Sequence, residues 1–316
     1  MSAGYRLAAG AGDVVVSVAS VSHVGLVRLV NEDSLLAEPP LFAVADGMGG
    51  HAFGDRASAA AVQALREEVG GAALSAPGRV LAAIRRANAA VRELTAGAGG
   101  DRVIAGTTLT GVALVLEDPD DGASDPHARW MVFNLGDSRV YRWDAAGAGN
   151  GARPALGRLE RVSVDHSIVQ ELFDAGVIDE ARTRTHPDRN IITRALGASD
   201  GVEPEAWLLP AEQPQTFLIC SDGLTKELDD AQIAAVLASA SDRMGDPQSA
   251  VDALLAAALE AGGHDNITVV LVQSEYRRTA DEGADGTGHD TGEDVVDEQT
   301  RDRALSPELE DTLPRV

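Results

Sequence analysis

Short apolar runs that end in glycine-rich turns recur along this chain. The clearest run covers residues 41–45 and is followed by Asp46 and by three glycines within the next four positions. Apolar or β-branched runs bounded by such turns are typical of buried strands. We predict further strands within residues 14–20, 106–117, 130–135, 140–143, 159–164, 202–209, 215–220 and 267–272.

Helical periodicity appears in two long Ala-rich segments, residues 54–69 and 77–94, which we expect to form an antiparallel pair that covers a sheet. Shorter helices are predicted at residues 168–175, 179–184, 230–239 and 247–261. About forty residues with little strand character separate the strands at 159–164 and 202–209. An insertion of this kind beside a site often acts as a lid or a substrate-facing flap.

Composition narrows the classes of function. The formal charge of -24 and the pI near 4.5 argue against binding to nucleic acid or to an anionic membrane surface. The single cysteine, Cys220, excludes an internal disulfide and fits a reducing compartment. With no secretory leader and no apolar run of about 18 residues, we expect a cytoplasmic protein without a membrane span.

Both ends of the chain differ from its middle. Residues 1–12 are small and glycine-rich, and we expect them to be flexible. Residues 277–316 are acidic, glycine-rich and aperiodic, and we expect a disordered tail that serves either as a tether for a partner or as a solubilising segment. One catalytic domain is therefore predicted over residues 13–276.

Four aspartates stand beside glycine-containing turns at the ends of predicted strands: Asp46, Asp137, Asp222 and Asp265. Each one alone is also compatible with an ordinary turn. If the four converge, their mutual repulsion raises their pKa values unless cations bind. Carboxylate oxygens without a thiolate cluster favour Mg²⁺ or Mn²⁺ over zinc. Two such ions can activate a water molecule and neutralise phosphoryl oxygens, while Arg28 can hold the phosphate in a bidentate fork.

An ordered set of motifs within residues 14–273 resembles the type 2C, metal-dependent serine/threonine protein phosphatases of bacteria. The matching segments are Gly25-Leu-Val-Arg-Leu-Val-Asn-Glu-Asp-Ser34, Asp46-Gly-Met-Gly-Gly-His51, Gly106-Thr-Thr-Leu109, Gly136-Asp-Ser-Arg139, Asp165-His-Ser167, His186-Pro-Asp-Arg-Asn190, Arg194-Ala-Leu-Gly197, Cys220-Ser-Asp-Gly-Leu224 and Gly263-His-Asp-Asn-Ile-Thr-Val-Val270. The resemblance implies an α+β fold with a central β-sandwich of two antiparallel sheets flanked by helix pairs, in α-β-β-α layers. It also implies metals at one end of the sandwich and a flap at about residues 165–197.

The resemblance assigns roles to the strand-end residues. It implies that Asp46 bridges two Mn²⁺ or Mg²⁺ ions and that the Gly47 carbonyl completes one of the two sites. Asp222 and Asp265 would bind the other ion. Asp137, together with Asp222, would hold a third and weaker ion.

A second group of residues is assigned by the same resemblance. Glu32 would reach a metal through water, and Asp33 and Asn266 would support the metal ligands. Arg28 would bind the substrate phosphate. Eukaryotic members carry the proposed general acid, a histidine, three positions before His51. This difference in position leaves two roles for His51: the general acid for the leaving group, or a cap of the following helix.

The activity implied is hydrolysis of phosphoserine and phosphothreonine in proteins, by direct in-line attack of a metal-bridging hydroxide and without a phosphoenzyme. The implied partners are Ser/Thr kinases and their phosphorylated targets, and we expect a monomer. Two alternatives stay open: a phosphatase dedicated to one phosphorylated regulator, and a metal-binding scaffold that has lost catalysis. Cys220 and His264 are expected to have structural roles.

Overall fold

The computed structural model describes residues 3–10, 12–48, 53–71, 73–96, 105–117, 126–145, 157–241 and 246–278. The strands are β1 (Ala3–Ala8), β2 (Gly12–His23), β3 (Asp33–Glu38), β4 (Leu41–Met48), β5 (Gly106–Thr107), β6 (Leu109–Glu117), β7 (His127–Leu135), β8 (Arg139–Asp144), β9 (Arg158–Arg161), β10 (Glu205–Pro210), β11 (Gln215–Cys220) and β12 (Ile267–Arg278). The helices are α1 (Gly54–Val69), α2 (Pro77–Ala96), α3 (Ile168–Asp174), α4 (Glu180–Thr185), α5 (Asp222–Glu227), α6 (Asp230–Ser241) and α7 (Pro247–Ala261).

Two antiparallel sheets form the centre of the molecule. One has the strand order β1-β2-β12-β11-β8-β9, and the other has the order β10-β7-β6-β4-β3, with β5 paired to β4. Side chains from both sheets meet in an inner core that contains Trp130, Phe42 and Phe217. The predicted β-sandwich is thereby confirmed.

Helix pairs cover the two outer faces, as the family resemblance implied. The α1–α2 pair packs on the sheet that contains β4, through residues such as Ala57, Ala61 and Ile84. The α6–α7 pair packs on the other sheet, where Ile233 and Leu254 are fully buried. Because alternate residues of a strand point to opposite faces, β12 can contribute one set of residues to the inner core and another to the helices.

The prediction of a flexible N-terminus is wrong for residues 3–8, which form strand β1. This strand pairs along its whole length with β2, with Ala3 opposite Val18 and Ala8 opposite Asp13. Its alternate residues, including Tyr5, pack on the inner core while the others face outward. The alternation of inward and outward residues in β1 gives little signal in the sequence, because several of these residues are small.

Two further differences from expectation concern β12 and α5. Strand β12 continues to Arg278, so the predicted tail loses its first two residues to the sheet. Residues 279–316, which hold most of that tail, lie outside the described residues. A short helix, α5, also begins at Asp222, where the sequence analysis expected only a turn.

The flap segment, residues 165–197, contains α3 and α4 and is tied to the sandwich at both ends. At its start, the His166 amide donates to the Gly136 carbonyl at 2.8 Å. At its end, Leu196 exchanges two backbone hydrogen bonds with Thr107. None of the described helices has the length and apolar character required to cross a bilayer.

Candidate metal centre

The predicted aspartates come together at one end of the sandwich, where strands of both sheets end. Asp46 lies near the end of β4 and is paired in register with Asp33 of β3, so the two side chains share a face. Burial raises the pKa of Asp46 well above its usual range, and the charges of Asp222, Asp33 and Asp137 raise it further. Residues from three separate parts of the chain therefore act on one carboxyl group.

Two neighbouring carboxyl groups also have raised pKa values. Burial, followed by the charge of Asp222, raises the pKa of Asp137 to about 8. Burial also raises the pKa of Asp33 to about 6, although hydrogen bonds from Thr268 and Ser221 oppose the shift. A cluster of this kind favours either protonation or the binding of a cation.

The donor set fits a hard divalent cation. One carboxylate oxygen in each of Asp33, Asp137 and Asp222 is buried and has no hydrogen-bond partner within the described part of the chain. Buried acceptors of this kind are rare unless an ion or a water molecule satisfies them. All of them are oxygens, which suits Mg²⁺ or Mn²⁺.

Two basic side chains already lie against the outer carboxylates. Lys226 Nζ is 2.5 Å from Asp222 Oδ2 and 2.8 Å from Asp265 Oδ2. Arg28 forms a two-point contact with Asp265, with Nε 2.9 Å from Oδ1 and Nη2 3.0 Å from Oδ2. Burial alone would raise the pKa of Asp265, but the hydrogen bond and charge of Lys226 lower it overall. In this arrangement, in which Lys226 and Arg28 contact the outer carboxylates, no three His, Cys, Asp or Glu side chains of the described residues form a group that could hold an ion.

Asn266 holds the loop that carries Arg28. Its Oδ1 accepts a hydrogen bond from the Glu32 amide at 2.8 Å, and its Nδ2 donates to the carbonyls of Val24 and Val30 at 3.0 Å each. One amide side chain thus bridges both ends of the loop between β2 and β3, while the predicted support of metal ligands by Asn266 stays a prediction.

Gly47 lies where the backbone is tightly packed. A Cβ at this position would overlap the carbonyl of Gly54 and approach that of Glu32. The Gly47 amide donates to the Glu32 carbonyl at 3.1 Å. Burial raises the pKa of the Glu32 carboxyl group, which lies beside Gly54. Both Glu32 and Gly47 therefore lie at the cluster, and their roles toward a metal stay predictions.

Several residues that support the cluster were not predicted from the sequence. Thr108 Oγ1 accepts a hydrogen bond from the Asp46 amide at 2.9 Å, and Thr107 Oγ1 donates to the Asp46 carbonyl at 3.0 Å. Ser221 Oγ donates to Asp33 Oδ2 at 2.8 Å. Their position in the sequence could have indicated these three residues, because all three stand next to strand ends. Lys226 was also missed, although it follows Asp222 by one helical turn.

Three other residues named from the sequence are Cys220, His264 and His51. Cys220 is fully buried in the core, and burial raises its pKa to about 12. His264 is exposed, and its Nδ1 lies 2.8 Å from Glu227 Oε1. His51 falls outside the described residues, so its assignment stays a prediction.

A cleft of about 1040 Å³ opens over the cluster. The cleft is lined by Asp137, Asp222 and Asp265 and, from the flap segment, by Phe173 and Arg184 among others. The site is thus accessible from solvent on the side of the flap segment.

Comparisons with known proteins find relatives of this chain in sequence and in structure. A sequence model of the protein phosphatase 2C family matches residues 27–260. The Mycobacterium tuberculosis serine/threonine protein phosphatase PstP is 33% identical over 276 residues, which is 84% of this chain but 47% of that protein. The chain thus spans about half the length of this curated relative.

Solved structures give the same fold. The PPM Ser-Thr phosphatase MsPP from Mycobacterium smegmatis, in complex with cacodylate, aligns with a TM-score of 0.63 and 36% identity, over 81% of this chain and 97% of that one. The catalytic domain of PstP in complex with two manganese ions aligns with a TM-score of 0.65 and 31% identity, over 83% of this chain and 99% of that one.

Proposed function

Because this chain belongs to the protein phosphatase 2C family, we propose that it is a metal-dependent phosphatase of phosphoserine and phosphothreonine in proteins. The observation that carries the proposal is the cluster of buried carboxylates, three of which keep an oxygen without a partner among the described residues. The similarity to a PstP domain with two manganese ions supports Mn²⁺ or Mg²⁺ as the cofactor.

We assign the ions to the strand-end residues. Asp46, the Gly47 carbonyl, Asp222 and Asp265 would hold two ions, and Asp137 with Asp222 would hold a third, weaker one. Bound divalent ions at such a cluster lower the pKa of water and neutralise charge on phosphoryl oxygens. The raised pKa values of Asp46 and Asp137 support a need for positive charge at this place.

Arg28 is suited to hold the substrate phosphate. Its guanidinium already binds a planar carboxylate through two nitrogens, and a phosphate presents the same pair of acceptors. The side chain is half exposed at the rim of the cleft, so an incoming phosphate can replace Asp265 as its partner. Asn266 limits the motion of the loop and so aims Arg28 at the cluster.

The deciding experiment measures phosphate release from para-nitrophenyl phosphate and from a phosphothreonine peptide, with Mn²⁺, with Mg²⁺ and with excess chelator. We expect release from both substrates that depends on the metal. Asp46→Asn and Asp222→Asn should abolish turnover and keep the far-UV circular dichroism of the parent. Asp144→Asn, at an exposed carboxylate at the end of β8, is the matched control. No release by a folded parent with either metal would favour the catalytically inactive scaffold.

A separate measurement tests Arg28. We expect Arg28→Ala to raise the KM for phosphate esters at least tenfold, since the lost two-point contact contributes about 1.5–3 kcal/mol to binding. Arg28→Lys should recover only part of the loss, because an ammonium cannot form the fork. An unchanged KM in the alanine variant would remove Arg28 from the phosphate site.

The remaining assignments are also proposals. His51 would protonate the leaving group, and a pH–rate profile of His51→Ala that keeps both limbs would argue for the helix cap instead. We propose cytoplasmic Ser/Thr kinases and their targets as the source of substrates, and a monomeric state that sedimentation can test.

A further inference from the structure

Lys226 is the only lysine of the chain, in which all other side chains with a permanent positive charge are arginines. It stands one turn after Asp222 in α5 and places its ammonium between Asp222 and Asp265, at 2.5 and 2.8 Å. These are the two carboxylates assigned above to one divalent ion. The charge of Lys226 also lowers the pKa of Asp46 and of Asp137, against the stronger effect of their burial.

In this contact, the ammonium of Lys226 neutralises the two carboxylates as a bound metal cation would. A lysine ammonium is a compact point charge on a flexible stem, so it can lie between two carboxylates and still leave them. Arg28 is different, because its planar fork pairs with one carboxylate, that of Asp265, among the described residues. A carboxylate oxygen that faces an ammonium at 2.5 Å cannot offer the same lone pair to a divalent ion.

The ammonium of Lys226 lies next to open space in the cleft. The Lys226 side chain is 36% exposed and lines the cleft of about 1040 Å³. A rotation about its side-chain bonds can therefore move Nζ into the cleft without any change of the backbone.

We propose that Lys226 is an internal competitor for the divalent ion at Asp222 and Asp265. Its ammonium holds the two carboxylates together and moves into the cleft when an ion binds them. Lys226 thereby sets the ion concentration at which this site fills. The inference rests on the proposed metal site but not on the phosphatase activity.

Calorimetric titration of the full-length chain with Mn²⁺ tests the proposal. Lys226→Met keeps an unbranched stem but removes the charge, and we expect it to bind Mn²⁺ at least tenfold more tightly than the parent. Lys226→Arg keeps the charge and should stay well below the methionine variant in affinity. Arg66→Met, on α1, removes one charge from an exposed pair with Glu38 of β3 and should stay within twofold of the parent. Equal or weaker binding by Lys226→Met would overturn the proposal.

A second measurement needs no variant. Because Lys226 is the sole lysine of the sequence, mass spectrometry of the lysine-containing peptide after amine acylation reports on this side chain, with the N-terminal α-amino group of the protein as internal reference. We expect addition of Mg²⁺ to raise the acylation rate of Lys226 at least fivefold relative to that group. A rate that stays constant or falls would contradict displacement.

Parallel assays of para-nitrophenyl phosphate hydrolysis separate the two claims. Turnover by the parent together with unchanged Mn²⁺ affinity in Lys226→Met would refute the role of Lys226 alone. Tighter binding by Lys226→Met in a protein without turnover would refute the phosphatase activity alone. A parent that binds no ion would overturn both.

Discussion

The pair Arg139–Asp165 predicts a large loss of stability from one substitution. Arg139 begins β8, two residues after Asp137, and Asp165 begins the flap segment. The guanidinium makes three contacts with the carboxylate: Nε lies 3.0 Å from Oδ1 and 3.1 Å from Oδ2, and Nη2 lies 2.7 Å from Oδ2. The Asp165 side chain is only 9% exposed and that of Arg139 21%. Arg139→Met would leave this buried carboxylate without its main partner.

The structure sets the size of the effect. Removing one partner of a buried ion pair costs about 3–5 kcal/mol, because the remaining charge is left desolvated. Arg161 Nη1, at 3.7 Å from Asp165 Oδ1, compensates in part. We therefore expect a loss near the lower limit, about 3 kcal/mol in the free energy of unfolding. For a domain of this size, that corresponds to a fall in Tm of roughly 6–12 °C.

Equilibrium urea unfolding of the full-length chain, followed by circular dichroism, measures this loss. Arg142→Met is the matched control on the same strand, because its pair with Glu160 is about one-third exposed and should contribute at most about 1 kcal/mol. The double variant Arg139→Met/Asp165→Asn should lose at least 1 kcal/mol less than the sum of the single variants. A loss for Arg139→Met no greater than for Arg142→Met, or strictly additive losses, would refute the reasoning.

Two further predictions concern the cluster itself. A Cβ at Gly223 would overlap the carbonyl oxygen of Asn266, so Gly223→Ala should lower the Tm by more than 5 °C, whereas Gly201→Ala, in open space, should leave it within 2 °C. Burial raises the pKa of Asp137 from 3.8 to about 8, so in chelator the folded chain keeps a proton between about pH 4 and 8 that the unfolded chain releases, and stability falls as the pH rises. Asp137→Asn should therefore stabilise the chelated protein by up to about 4 kcal/mol at pH 7, which is 3.2 pH units above 3.8 at about 1.36 kcal/mol per unit. At pH 4.5 the gain should be about 1 kcal/mol. An equal gain at both pH values would exclude titration of Asp137 as the cause.

Local pattern was sufficient for most of the elements. The helices α1, α2 and α7 lie within two residues of the predicted bounds, because their apolar positions recur with the helical period and Pro77 and Pro247 mark two of the starts. Strand β1 was missed because its alternate residues include Ala3, which carries little hydrophobic signal, and because its partner is supplied by β2. An edge strand depends on pairing more than on its own composition.

The sequence by itself determined which aspartates are candidates, since Asp46, Asp137, Asp222 and Asp265 each stand beside a glycine-containing turn at a strand end. Only the tertiary structure decided how these carboxylates act on each other. The pairing of Asp33 with Asp46 requires the register of β3 on β4, and the contact of Lys226 with Asp265 joins residues 39 positions apart. Periodicity records which side of a strand or helix is buried, but the distance between two charges is set only when the sheets close on each other and exclude water. That closure turns separate turn residues into a strained carboxylate cluster with one lysine at its edge.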